Sequence, residues 1–193
     1  MTGPLSDVTV LDLTSVISGP LATSILADQG ARVIKVESPN GDSMRMAGAL
    51  KGGVSSLFSS INRNKESIAL DLRAPEAIEI INKIAARADI CIQNYRPGVV
   101  EKLGIGYEHL KKINPELIYA SISGVGAEGP YSGRRVYDPV IQAYAGFASA
   151  QTANGKPGLI KMMICDKVTS LTMAQAITAA LYDRKNTGKG QHV

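Results

Sequence analysis

The chain has 193 residues, 45% apolar and 20% charged, with a net charge of +4 and a pI of about 9.1; this suffices for one domain with a real core and is ordinary for a soluble α/β protein. The charge excess is mild and dispersed over Arg63, Lys65, Arg73, Arg96, Lys102, Lys111, Lys112, Arg134 and Arg135 without interleaved aromatics, which argues against nucleic acid as a partner and suits a ligand carrying several phosphates. No basic, apolar leader and no run of membrane-spanning length is present, and Cys91 and Cys165 each sit in an apolar run, so a cytoplasmic protein with two buried thiols and no membrane partner is expected.

In chain order, VTVLDL (8–13) reads as a buried strand. A turn, TSVISGP, leads into a helix with Pro20 in its first turn and Gly30 at its stop. ARVIKVE (31–37) is the next strand, completing a strand–helix–strand crossover unit. Residues 39–56 are a loop rich in Gly, Ser and Met, and SSLFSSINRNK holds a short helix. SIALDL (67–72) is a strand, and APEAIEIINKIAARA (74–88) an amphipathic helix with Ile78, Ile81, Ile84 and Ala85 on one face.

DICIQNY (89–95) is a strand, YEHLKKINP (107–115) a short helix, and ELIYASISGVG (116–126) a strand that enters a Gly-rich loop. Residues 127–165 are looser, 167–185 are helical, TGKG (187–190) is a turn, and QHV begins another strand. The alternation predicts an α/β, Rossmann-like open sheet, mainly parallel, with helices on both faces. A chain that turns and stops three residues into a new segment reads as cut, so a further C-terminal part is expected.

The local chemistry is sparse. SVISGP has one glycine where a dinucleotide fingerprint needs three. No metal-ligand spacing and no serine-hydrolase elbow occur, and His109 sits on a lysine-rich helix and should face solvent. NYRPG (94–98) follows a strand and is either a plain turn or a ligand edge. Asp138 and Asp166 each precede a helix, so each reads first as a cap that accepts a backbone N–H. These observations leave the reaction open.

Several stretches taken together resemble the family III CoA-transferases, which include formyl-CoA transferase, carnitine CoA-transferases and α-methylacyl-CoA racemase. The stretches are LDLTSVISGPLATSILADQGARVIKVE, NRNKESIALDL, NYRPGVVEKLGIGYEHLKKINPELIYASISGVG, YDPVIQAYAG, and Asp166 with AALYDRKNTGKGQHV. The resemblance implies that residues 1–193 are the large, Rossmann-like, CoA-binding domain of a chain about twice as long. It further implies an interlocked homodimer, a small C-terminal domain outside this chain, CoA and acyl-CoA as substrates, a carboxylic acid as second substrate, and no permanently bound cofactor or metal.

The resemblance assigns the nucleophile to Asp166, which would form an anhydride with the acyl group and then an aspartyl-CoA thioester. A helix N-terminus there would keep the carboxylate ionised. Tyr137 matches a position beside the thioester, and Asn94 and Tyr95 match the acyl or pantetheine end. Arg73, Lys102 and Arg135 match positions that hold the nucleotide and phosphates, and Val16, Ser18 and Leu72 match walls of the CoA site.

Two departures stand out. The racemases place a histidine base where this chain has Tyr137, and a tyrosine is a poor base near neutral pH, which disfavours racemase or epimerase activity. Formyl-CoA transferase has a glutamine where this chain has Ile17, which suggests a larger or less polar acid here. The glycine-rich loop that covers the intermediate in that enzyme would lie in the missing half. Residues 1–193 alone are therefore expected to bind CoA weakly without turnover. A CoA-binding or assembly module is the reading from another class.

Overall fold

The short β-branched runs become parallel strands in a computed structural model that describes residues 2–193. The strands are β1 (Thr9–Asp12), β2 (Arg32–Glu37), β5 (Lys65–Ala69), β6 (Ile90–Gln93) and β7 (Ile118–Ser121). They form one sheet in the order β5-β2-β1-β6-β7, and every pairing is parallel. Two further strands, β3 (Leu50–Lys51) and β4 (Val54–Ser55), make a small antiparallel hairpin inside the segment expected to be pure loop. QHV makes an isolated parallel bridge to β7 at Tyr119, whose N–H donates to Gln191 O and whose carbonyl accepts from Val193 N–H, both at 2.9 Å.

Parallel strands must be joined by crossovers, and the connecting helices cover both faces. One face carries α1 (Ser18–Asp28) and α8 (Ile164–Thr187). There Ala22, Leu26, Ala174, Ile177 and Ala180 pack on Val10, Val33, Ile90, Ile92 and Ile118. The other face carries α3 (Pro75–Ala85), α4 (Val99–Lys102) and α5 (Tyr107–Ile113). Its core joins Leu11, Leu13, Cys91 and Tyr119 to Ile81, Ala85, Val100 and Leu110. The alternation of strand side chains explains the division, since Val10 and Leu11 point to opposite faces. Truncating Ile177, which is fully buried, would leave a cavity costing roughly 2–5 kcal/mol.

The short helix after the hairpin is α2 (Ser56–Asn62), started by Ser55, whose hydroxyl accepts from Phe58 N–H at 3.0 Å. The looser region 127–165 contains α6 (Asp138–Tyr144) and α7 (Phe147–Ala150). Cys91 and Cys165 are free and buried, and His109 is exposed, as expected. Among the described residues no helix is long and apolar enough to cross a membrane.

Two boundaries differ from the sequence reading for reasons of charge. The strand expected at 67–72 starts at Lys65, because Lys65 is drawn inward to Asp12, with Nζ 3.1 Å from Oδ2 and both side chains almost fully buried. Lys65 is therefore not one of the free cations available to a ligand. The helix expected at 167–185 starts at Ile164, because a carboxylate from another helix satisfies its first turn, as described below.

The end of β2 is tied to the following loop by charge. Glu37 accepts from Arg45 Nε and Nη2 at 2.7 Å each, from Ser67 Oγ at 2.6 Å and from Asp42 N–H at 2.9 Å. Burial opposes its ionisation, but the Arg45, Ser67 and Asp42 hydrogen bonds outweigh it and bring the pKa from 4.5 to about 2. A depressed carboxylate pKa contributes stability that is fully present above pH 4.5 and is lost as pH falls toward about 2. Glu37→Gln should therefore cost roughly 2 kcal/mol at neutral pH, once the half-exposed Arg45 is discounted for solvent screening, and should flatten the acid limb. Urea melts between pH 7 and pH 2 check this, and equal acid limbs in both proteins would contradict it.

Candidate functional site

The strand order makes a site before any side chain is considered. From β1 the chain winds outward through β2 to β5, then returns to place β6 on the opposite side of β1. The connections therefore diverge between the carboxyl ends of β1 and β6, the position where open α/β sheets bind ligands. A cleft of about 270 Å³ opens there. It is walled by the turn after β1, the NYRPG turn after β6, the loop after β7, and the starts of α6 and α8.

The turn after β1 is held in an unusual shape. Val16, a β-branched residue, has φ +71°, which costs about 1–3 kcal/mol and persists only where surroundings enforce it. Asn94 supplies part of that enforcement: its Oδ1 accepts from Ser15 N–H at 3.0 Å and its Nδ2 donates to Ser15 O at 2.7 Å. The Asn94 amide thus lines the cleft while committed to the protein at both ends. Gly19 lets α1 start close to this turn, since a Cβ there would lie 2.3 Å from Thr14 Cβ. Gly124 plays the same part across the cleft, where a Cβ would meet Val136 Cγ2 at 1.8 Å.

Asp138 and Asp166 meet across two helices. Asp166 is the third residue of α8, and Met163, at the cap position, makes no side-chain capping bond. The cap comes from α6: Asp138 Oδ2 accepts from Asp166 N–H at 2.9 Å. Asp138 therefore caps α8 rather than its own helix, and Asp166 is not a cap. Gln142, one turn along α6, completes the link. Its Oε1 accepts from Ile160 N–H at 2.9 Å, and its Nε2 donates to Met162 O at 3.1 Å and to Asp138 Oδ1 at 2.5 Å. Ser170 Oγ donates to Ser18 O and to Asp166 O, both at 2.7 Å, tying α8 to the start of α1.

Asp166 is half-buried, with its carboxyl on the cleft. Burial raises its pKa first, the Asp138 charge raises it further, and a hydrogen bond from Ser18 acts in the lowering sense. Desolvation and the Asp138 like charge thus outweigh the Ser18 hydrogen bond. Perturbation of this kind in a cleft marks a functional candidate.

Of the residues singled out from sequence, Val16, Ser18, Asn94, Tyr95, Arg135, Tyr137 and Asp166 line this one cleft, joined by Arg96 and Arg134. Arg134 stacks over Tyr131 at 4.4 Å and donates to Tyr144 Oη at 2.9 Å. Leu72, Arg73 and Lys102 lie outside the cleft. Leu72 packs partly buried on the Leu11–Tyr119 core, Arg73 pairs with Asp71 at 2.9 Å with its side chain 85% exposed, and Lys102 ends α4 in solvent.

Leu72 and Arg73 nevertheless follow β5 at the carboxyl edge of the same parallel sheet, and Lys102 closes the helix that follows β6. Leu72 and Arg73 stand two strands from β1, roughly 10 Å away. A second hollow of about 230 Å³ opens beside the cleft, lined by Lys35, Glu37, Ser38 and Asp42 and sharing Ser15 and Tyr95 with it. Ile17 is buried and does not line the cleft. Gln142 and Ser170 escaped the sequence reading. The i, i+4 spacing of Asp138 and Gln142 is the one signal of their pairing.

Comparison with known proteins places the chain in a family. The family model described as "CoA-transferase family III" matches residues 5–193. The chain is 43% identical over 194 residues to acetyl-CoA:oxalate CoA-transferase of Acetobacter aceti, covering 99% of this chain and 50% of that protein. It is also 43% identical to human succinyl-CoA:glutarate CoA-transferase, covering 97% of this chain and 43% of that one. A crystal structure of a CAIB/BAIF family protein from Brucella suis superposes with a TM-score of 0.94 at 40% identity, covering all of this chain and 53% of that one. The chain thus spans about half the length of the relatives it matches.

The Asp138–Asp166 contact gives a signed expectation. Asp138→Asn keeps an oxygen for the Asp166 N–H but removes the like charge, so the Asp166 pKa should fall and the carboxylate should stay ionised to lower pH. Carboxyl carbon NMR titration of both proteins checks it, and an unchanged or raised Asp166 midpoint would contradict it.

Proposed function

The chain belongs to CoA-transferase family III, and we propose that the protein containing it moves CoA from an acyl-CoA to a free carboxylic acid, with Asp166 as the covalent nucleophile. The observation that carries the proposal is Asp166 itself: a half-buried carboxylate with a raised pKa, facing a cleft at the point where the sheet's connections diverge. A carboxylate held out of water is a stronger nucleophile toward a thioester than a solvated one.

In this reading an Asp166 oxygen attacks the acyl carbon, the carbon–sulfur bond breaks, and CoA leaves as the thiolate. The product is a mixed anhydride of Asp166 and the acyl group. The thiolate then attacks the Asp166 carbonyl carbon, releases the donor acid and leaves an aspartyl-CoA thioester. The acceptor carboxylate attacks that thioester, again expelling the thiolate, which finally takes the acceptor acyl group and frees Asp166. Each step exchanges one acyl bond for another and needs no oxidant, reductant or resident cofactor.

The thioester end of CoA is assigned to the cleft, beside Val16, Ser18, Asn94, Tyr95 and Tyr137. The rest of the ligand would run past Ser15 and Tyr95 into the second hollow and toward Leu72 and Arg73, with Lys102 and Arg135 supplying further positive charge. This assignment rests on the shared carboxyl edge and on cations that suit phosphate. Oxalate and glutarate are the acids in the names of the two relatives above; a carboxylic acid is the class assigned here. Residues 1–193 would form the large CoA-binding domain, with a small C-terminal domain contributed by the remaining length. The whole would act as a cytoplasmic homodimer. A racemase reading fits less well, because a tyrosine stands where those enzymes hold a histidine base.

Asp166→Asn in the full-length protein should lower acyl exchange by about a thousandfold or more and abolish any covalent Asp166 adduct seen by mass spectrometry. The raised folded-state pKa means the group's favourable contribution to folding is present at low pH and lost as pH rises through that value. The amide should therefore be no less stable than the wild type at neutral pH. Retained exchange would sink the assignment, and solvent deuterium entering the acyl α-carbon without an acceptor acid would favour the racemase reading.

A further inference from the structure

Beneath the first βα turn lies an ion pair that the proposed chemistry does not use. Lys35, on β2, and Asp42, in the loop after it, each have side chains 1% exposed, with Nζ and Oδ2 3.0 Å apart. Neither group reaches the cleft, although both line the second hollow to which the rest of CoA is assigned. Lys35 Nζ instead donates to Thr14 O at 2.8 Å. Asp42 Oδ1 accepts from Met44 N–H at 2.9 Å and lies 3.5 Å from the N–H of Val16. The pair thus grips the turn on the residues flanking Ser15, whose own N–H and C=O are held by Asn94 from the opposite side.

The middle of this grip is Val16, a β-branched residue at φ +71°. Glycine would adopt that conformation freely, whereas valine must be forced into it. A buried ion pair is a weak device for stability, since two apolar or neutral groups of similar volume often serve as well. Its directional bonds to Thr14 O and the Val16 N–H are what such groups would not reproduce.

We propose that Lys35 and Asp42 are positioning residues that hold Val16 in its left-handed conformation, so that the Val16 wall and the start of α1 meet Asp166 in a fixed geometry. The kinetic part rests on the CoA-transfer reading; the conformational part does not. Displacing one cleft wall by about an ångström is enough to cost roughly a hundredfold in rate where reacting groups must align.

The test uses the full-length protein and the paired variant Lys35→Met/Asp42→Leu, which removes both charges and both hydrogen-bonding groups together and avoids stranding one charge in the core. Amide hydrogen exchange should quicken at least about tenfold in the segment spanning Thr14–Gly19 while β6 and β7 keep their protection. Unchanged exchange in that segment would overturn the proposal, whatever reaction the protein catalyses. In acyl-exchange assays kcat should fall at least about tenfold, and the same pair of changes in a Val16→Gly background should cost less than about threefold, because glycine needs no restraint to hold the conformation. Equal losses in the two backgrounds would show a general structural role and overturn it. A protein with no CoA exchange at all would count against the transferase reading, and the hydrogen-exchange result would still decide the positioning claim.

Discussion

The Asp12 carboxylate is the interaction on which the site end of the fold depends. It is completely buried at the carboxyl end of β1 and accepts from Thr14 N–H, Thr14 Oγ1, Thr23 Oγ1 and Lys65 Nζ. Burial alone would raise its pKa, but Lys65, Lys35 and the two threonine hydroxyls hold it below the usual carboxylate range. One group thereby joins β1, the following turn, α1 and β5. Lys65 extends the junction by donating to Pro20 O and Asn62 Oδ1, both at 2.8 Å. A charge so deep is tolerated only because every acceptor position on it is used.

The cleft is assembled by similar polar clamps rather than by the apolar core. Asn94 and the Lys35–Asp42 pair shape one wall, and Asp138 with Gln142 shapes the other by stapling residues 160–166 to α6. The two walls meet where Ser170 bridges α8 and α1. Backbone bent away from regular structure leaves N–H and C=O groups unpaired, and these side chains satisfy them. The arrangement leaves Asp166 facing the charge of another carboxylate and partly out of water, two effects that both oppose its ionisation.

Much of this was legible in the residues. Alternating β-branched runs and amphipathic segments marked all five main strands and the longer helices, because parallel strands need continuous apolar runs and crossover helices need one apolar face. Seven of ten residues chosen from motifs converge on one cleft. The failures have a common cause. Lys65 looked like a ligand-binding cation and is a buried partner of Asp12. Asp138 looked like a cap for its own helix and caps α8, 28 residues away. Each depends on a partner distant in sequence, which local pattern does not contain.

The sequence by itself determined the fold class, because periodicity is a property of neighbouring residues, and it was the resemblance to a known family that turned Asp166 from a helix cap into the residue to watch. Only the tertiary structure decided which cations are free, what caps α8, and which groups push the Asp166 pKa upward. Charge and burial are settled by what the folded chain brings within a few ångströms, and for Asp166 that is Asp138 on a different helix, with Ser18 beside it.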